Sequence, residues 1–242
     1  MKMGLVPMLL GLWMLAVVAI GGSANEIEQL LAISIDTTVV GVQSAAERIV
    51  ELFAARTGEL LGLAVVPPGV EIRNTPNLAY FDHRSGRIVL AHWPTLGSAS
   101  KAFFIDLAGT EEEGGALFVS LFNEFLVAHE MGHWVQRGFG IVRDRYGREQ
   151  EANDIAVAFF RSIEGGEPRL NELRPRLESA LARLSDPTPA DLDERAFFNA
   201  QYAKLAVNPA AYGYYQFRFI LNSIESGDRL EFAMLLRQMA AE

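Results

Sequence analysis

Leu117–Val135 reads LFVSLFNEFLVAHEMGHWV, and its pattern decides the fold. Leu117, Leu121, Phe122, Phe125, Leu126 and Val135 recur at the three-and-four spacing of a helix with a buried face. The polar run His129-Glu130-Met131-Gly132-His133 lies inside that pattern. Residues four apart on a helix sit one turn above each other, so His129 and His133 aim two imidazoles at one point, with Glu130 beside them. Such a point suits a zinc ion, which in hydrolytic sites takes three protein ligands and leaves the fourth position to water. The alternative is a chance match on a packing helix, but two of the chain's four histidines fall in this motif.

The missing ligand is sought downstream. In Gly147–Phe160 the small and apolar residues Ala152, Ile155, Ala156 and Phe159 define one helical face, and Glu149 lies one turn earlier on it. Glu149 is therefore the leading third ligand. Asn153 lies beside it, placed to orient a ligand imidazole. Glu151 and Asp154 point away from the Ala152/Ala156 face and stay open as alternative ligands. Acidic residues near a helix start also favour the macrodipole, which explains the charge of this cluster but not its small-residue face.

Composition narrows the function classes. The chain has 242 residues and no cysteine, so neither disulfides nor thiolate metal sites are available, and any zinc is held by histidine and carboxylate. The net charge of −9 and the absence of a basic run argue against a nucleic-acid partner. Met1–Ala24 opens with Lys2, continues through an apolar run from Leu5 to Ile20 and closes on Gly21-Gly22-Ser23-Ala24. This reads as an export signal cleaved near Ala24, which places residues 25–242 outside the cytoplasm, periplasmic or secreted, as one domain. The alternative is a retained membrane anchor facing outside, the only route to a membrane partner; Pro7 and Gly11 weaken it as a permanent helix.

Around the motif helix the rest falls into place. Ser44–Arg56 reads as a packing helix through Ala46, Ile49, Val50 and Phe53, with Gly58 as its stop. Val70–Asn74 reads as a short strand. Leu78–Asp82 and Arg87–Ala91 form a hairpin across His83-Arg84-Ser85-Gly86, offering an edge against which an extended peptide can lie. His83 and His92 are minor candidates for the site, and Trp93 and Trp134 read as packing. Gly97–Gly115, with Glu111-Glu112-Glu113, reads as a solvated loop, as does Arg143–Arg148. Helices follow at Arg169–Leu184, from about Thr188, at Tyr212–Ile224 and at Asp228–Ala240; Tyr212, Tyr214 and Tyr215 offer hydroxyls for an oxyanion.

On these residues the chain resembles the zincin metallopeptidases. The layout is closest to the exported bacterial family called domain of unknown function 4344. The resemblance rests on Asn77–Asp82 with Arg87–Leu90, on HEMGHW, on Gly147–Asp154 and, more weakly, on Leu192–Arg195. It spans about Val70 to Asn199. Unlike members of that family the chain lacks cysteines near the hairpin, and it lacks the third histidine of the metzincin branch. The resemblance implies an α+β zincin-like fold: a small N-terminal sheet, the HExxH helix, a glutamate helix and a helical C-terminal half. It also implies hydrolysis of a peptide or protein substrate by a zinc-activated water. His129, His133 and Glu149 are then the ligands and Glu130 the general base. Two other functions remain open: an exported protein that binds metal or recognises peptides without catalysis, and a structural envelope protein in which HExxH is accidental.

Overall fold

The computed structural model describes residues 37–227 and 231–242. The expected export signal or anchor, Met1–Ala24, and the start of the last expected helix at Asp228 lie outside the described residues. No helix among the described residues is long and apolar enough to cross a membrane.

The chain is rich in helix around one small sheet, a composition compatible with the α+β class. Helix α1, Val39–Leu61, is capped by the Thr38 hydroxyl, which accepts from Gly41 N at 3.1 Å. It runs through Gly58, the expected stop. A Cβ there would lie 2.7 Å from Leu63 O, so the absent side chain admits the returning chain, and the helix ends at Gly62 with φ 65°.

The sheet comprises β1 Gly69–Ile72, β2 Ala79–Asp82 and β3 Arg87–Leu90 in the order β1-β3-β2. β1 runs parallel to the central β3, and β2 pairs with it antiparallel in the register Ala79↔Leu90 to Asp82↔Arg87. The expected hairpin forms with Gly86 at φ 68° in its turn, and Asp82 accepts from Arg84 N and Ser85 Oγ. Ile88, Val89 and Leu90 of β3 are fully buried. β2 is left as an edge strand.

The acidic stretch expected to be a loop is two helices, α2 Ser98–Ala108 and α3 Glu111–Phe118. Phe104 and Leu107 anchor α2 in the core. Thr110 caps α3 by accepting from Glu113 N, which places Glu111, Glu112 and Glu113 at the positive end of the helix dipole. The charge run marks a helix start here, not a solvated connection. From α3 the chain continues without a break through a π-helical segment, Val119–Phe125, into α4, Leu126–Gly138. The π turn is widened, yet the four-residue spacing of Leu117, Leu121 and Phe125 still buries all three, and Phe118 stacks on Phe122. Buried Asn123 donates from this segment to Ala91 O at 3.0 Å, tying the rod to the end of β3.

α5, Arg145–Arg161, starts inside the expected Arg143–Arg148 loop because the Asp144 carboxylate accepts from Gly147 N at 2.7 Å. Then follow α6 Gly166–Leu181, α7 Glu194–Leu205, α8 Pro209–Glu225 and α9 Phe232–Ala241. The start expected near Thr188 falls instead at Asp193, whose carboxylate accepts from Ala196 N. Thr188 turns to Tyr215, hydroxyl to hydroxyl at 2.6 Å. An apolar core joins α1, the sheet, α2, the rod, α5, α6, α8 and α9, and within it Phe53, Phe159 and Phe232 meet ring to ring from α1, α5 and α9; Phe198 and Leu205 of α7 pack in a second cluster with Tyr215 and Phe219 of α8.

The α4/α5 contact sets up everything at the site. A Cβ on Gly132 would lie 3.0 Å from Ala152 Cα and 3.1 Å from Ala152 O, so the two helices touch backbone to backbone. Gly132→Ala gains about 1 kcal/mol of helix propensity but forces two packed helices apart, an overpacking cost of about 1–3 kcal/mol. We expect it to lower both the melting temperature and metal affinity; wild-type values for both in thermal melts and metal titrations would show that the contact has slack.

Candidate metal centre

α4 and α5 cross with His129, His133 and Glu149 facing one another. The three offer ligand atoms that all lie within 4.8 Å of each other, a group that could hold a metal ion. Glu149 Oε2 is 3.5 Å from His129 Nε2 and 3.6 Å from His133 Nε2. The rings stand nearly perpendicular, 84° apart, with centroids at 4.6 Å. The side chains of His129 and Glu149 are 3% and 4% exposed and that of His133 is 14% exposed, so the opening lies on the His133 side.

Two side-chain amides fix which nitrogen of each histidine faces the centre. His129 Nδ1–H donates to Asn153 Oδ1 at 2.9 Å, and His133 Nδ1–H donates to Gln136 Oε1 at 2.8 Å. In each ring Nε2 is thereby the nitrogen turned to Glu149, and it carries the lone pair when the imidazole is neutral. Asn153 in turn donates to Glu149 O at 3.0 Å and to Gln216 Oε1. Gln216 Nε2 donates to Glu149 Oε2 at 2.9 Å and to the Tyr212 hydroxyl at 3.0 Å. Every hydrogen of these amides that would face the wrong way is already committed.

Glu130 is 6% exposed and tied to the sheet: Phe81 N, on the outer side of edge strand β2, donates to its Oε2 at 2.8 Å. Its Oε1 has no hydrogen-bond partner among the described residues. The open alternatives for the third ligand are placed elsewhere. Glu151 accepts from Gln136 Nε2 and from Arg143, and Asp154 accepts from Ser223 Oγ at 2.6 Å and Gln150 Nε2 at 2.9 Å. Neither joins the three-residue group.

His92 is a core residue, its Nε2 donating to Thr37 O at 2.8 Å. His83 lies on the β2–β3 turn, largely open to solvent; the partial desolvation of its ring and then the nearby charges of Arg137 and His133 hold its pKa down. Of the three tyrosines offered for an oxyanion, Tyr214 and Tyr215 belong to the α8 side near Asp186 and Thr188. Tyr212 alone connects to the centre. Burial, then the Glu149 charge, keeps its phenol protonated well above the usual range. Gln136 and Gln216 were not anticipated; Gln136 follows His133 by three residues, a spacing that faces it, whereas nothing local marks Gln216. No protein-family model, curated protein or solved structure matches this chain, so geometry carries the functional argument.

Without metal, a proton bridges the buried charges. Burial pushes the His133 imidazole down, but Glu149 beside it prevails and lifts the pKa from 6.5 to about 9. Burial likewise works against the Glu149 carboxylate, yet His133 and His129 hold it well below its ordinary range. Because the folded pKa of His133 is raised, its contribution to stability is full below 6.5 and is lost as pH rises through about 9. Thermal melts of chelator-treated protein should fall across that window, and metal-loaded protein, in which the proton has been displaced, should lack that step.

Proposed function

We propose that the chain is a zinc-dependent metallopeptidase of zincin type, exported from the cytoplasm. The observation that carries this reading is the separation of the ligand atoms. Two zinc bonds of about 2.0–2.2 Å meeting near the tetrahedral angle put their donor atoms roughly 3.3–3.5 Å apart. Glu149 Oε2 lies 3.5 and 3.6 Å from the two Nε2 atoms, with both tautomers set for coordination. Bound zinc would supply a Lewis acid and a water acidified toward neutral pH.

Two histidines and one carboxylate also suit ferrous oxygenase sites. Glu130 favours hydrolysis: a carboxylate next in sequence to a ligand, with no partner for Oε1 among the described residues, would take the proton from a water attacking a carbonyl. The Phe81 N–H holds this carboxylate by Oε2 and so orients it without occupying both oxygens. Tyr212, kept protonated, is joined to the centre through Gln216, which donates to its hydroxyl and to Glu149 Oε2. The outer side of β2 carries the same backbone face as Phe81 N, and an extended peptide can pair with the remaining groups of that edge. The alternative, a metal-binding or peptide-recognising protein without catalysis, draws on the same bond, since Glu130 already has structural work in joining α4 to β2.

Elemental analysis and peptide cleavage separate these readings. We expect about one zinc per chain, lost in His133→Ala and Glu149→Ala and kept at saturating zinc in Glu151→Ala. Glu130→Gln should keep its zinc and lose about 10²–10⁴-fold in kcat. Full activity in zinc-loaded Glu130→Gln would sink the hydrolytic mechanism, and iron in place of zinc would move the site to the oxygenase class.

A further inference from the structure

We propose that Glu151 is a positioning residue for the metal centre, setting which nitrogen of His133 faces the ligands through the amide of Gln136. The inference rests on the metal reading above and extends it to a residue outside the ligand group.

The argument starts from the two ends of one amide. Gln136 is 3% exposed, and its oxygen and both of its amide hydrogens are engaged by the protein. Its Oε1 accepts from His133 Nδ1–H at 2.8 Å. Its Nε2 donates to Arg148 O at 3.0 Å and to Glu151 Oε2 at 2.9 Å. Turning the amide over would set its oxygen against a carbonyl and a carboxylate, both acceptors, and its NH₂ against His133 Nδ1–H. Glu151 supplies the charged one of those two acceptors, and charge-assisted hydrogen bonds are about twice as strong as neutral ones. It is therefore the main lock on the amide, and the amide is the lock on the tautomer of His133. With the amide free to turn, His133 can present Nδ1 or swing away, and the common focus with His129 Nε2 and Glu149 Oε2 is lost.

The network continues outward with falling weight. Arg143 donates to Glu151 Oε1 from Nε at 3.2 Å and Nη2 at 3.0 Å, which leaves Oε2 to Gln136. The same guanidinium holds both carboxylate oxygens of Glu242, just past α9, at 2.8 and 2.7 Å. Exposure rises along the path, from 20% for the Glu151 side chain to 28% for Arg143 and 37% for Glu242. Exposed pairs contribute little, so influence on the metal should fade in that order. Glu151 and Glu242 also line a cavity of about 200 Å³ between α5 and α9, on the face of α5 turned away from Glu149. The lock can thus be altered from a side that a substrate at the metal does not touch.

The test is zinc affinity by competition with a chromophoric chelator, the visible spectrum of the cobalt(II) form, and NMR detection of the His133 Nδ1 proton in metal-free protein. Glu151→Ala should lose about tenfold in zinc affinity, the lower end of the range for removing a direct partner of a ligand because Glu151 acts one bond further out, and should shift the cobalt spectrum. Glu151→Gln, which keeps an oxygen acceptor for Gln136, should recover most of both. Arg143→Met should cost a few-fold, and Glu242→Gln about twofold or less.

If Glu151 served only to anchor Arg143 and α9, Arg143→Met would match Glu151→Ala and neither would move the cobalt spectrum. That result would overturn the inference, as would wild-type affinity and spectrum in folded Glu151→Ala. A wild type that takes no metal would defeat the metal reading alone. The Nδ1 proton would then decide the positioning role: protected from exchange in wild type and in Glu151→Gln but lost in Glu151→Ala if the role holds, unchanged in all three if it does not.

Discussion

The structure depends on one close approach, the backbone contact of α4 with α5 at Gly132 and Ala152. A side chain at either helix normally holds two axes 8–10 Å apart; here the missing Cβ of Gly132 and the short one of Ala152 let the helices close until imidazoles on one reach a carboxylate on the other. Glu149 and Asn153 flank Ala152 on α5, and His129 and His133 flank Gly132 on α4. The residues that let the helices close thus lie among those of the candidate centre. Packing and site are the same contact.

That contact buries charge, which is costly unless the charge is answered. Glu149 is 3% exposed and is answered by four groups: the two imidazoles, the Gln216 amide, and Arg148 at 3.5 Å from Oε1. In the metal-free protein a proton on His133 makes the arrangement tolerable, and a divalent ion could take the same electrostatic position with more charge and directed bonds. The amides of Asn153, Gln136 and Gln216 carry no charge, yet they do the aiming. Each spends both its oxygen and its NH₂ on fixed partners, so the orientation of the ring beside it is settled before any ion arrives.

The remaining architecture holds α4 in place against the sheet. The continuous rod from Glu111 to Gly138 is joined to the sheet by Asn123 at the end of β3, by Glu130 at the outer side of β2 and by Arg137, which donates to His83 O just past β2. The π-helical segment lies between the rod's start and the turns that carry His129 and His133, and Asn123 sits within it. A widened turn of this kind changes which residues face the sheet without ending the helix. The edge strand therefore runs past the site at a distance set by hydrogen bonds at both ends.

What the sequence determined by itself was local. The four-residue spacing of His129 and His133 places them on one side of any α-helix, because that follows from covalent geometry alone. The Ala152/Ala156 face pointed to Glu149 for the same reason, the β2–β3 hairpin was written in a turn that needs Gly86, and the lack of cysteine excluded thiolate ligands. The tertiary structure decided which faces meet. It turned Glu151 to Gln136 and Arg143, turned Asp154 to Ser223, made helix starts of the acidic run at Glu111 and of the stretch from Arg145, and widened the rod into a π turn. It also brought Gln216 to Glu149 across 67 residues of chain and Phe81 to Glu130 across 49. Periodicity says which residues share a side of one helix, but the partner of that side is chosen by packing among elements far apart in sequence, where no spacing rule reaches.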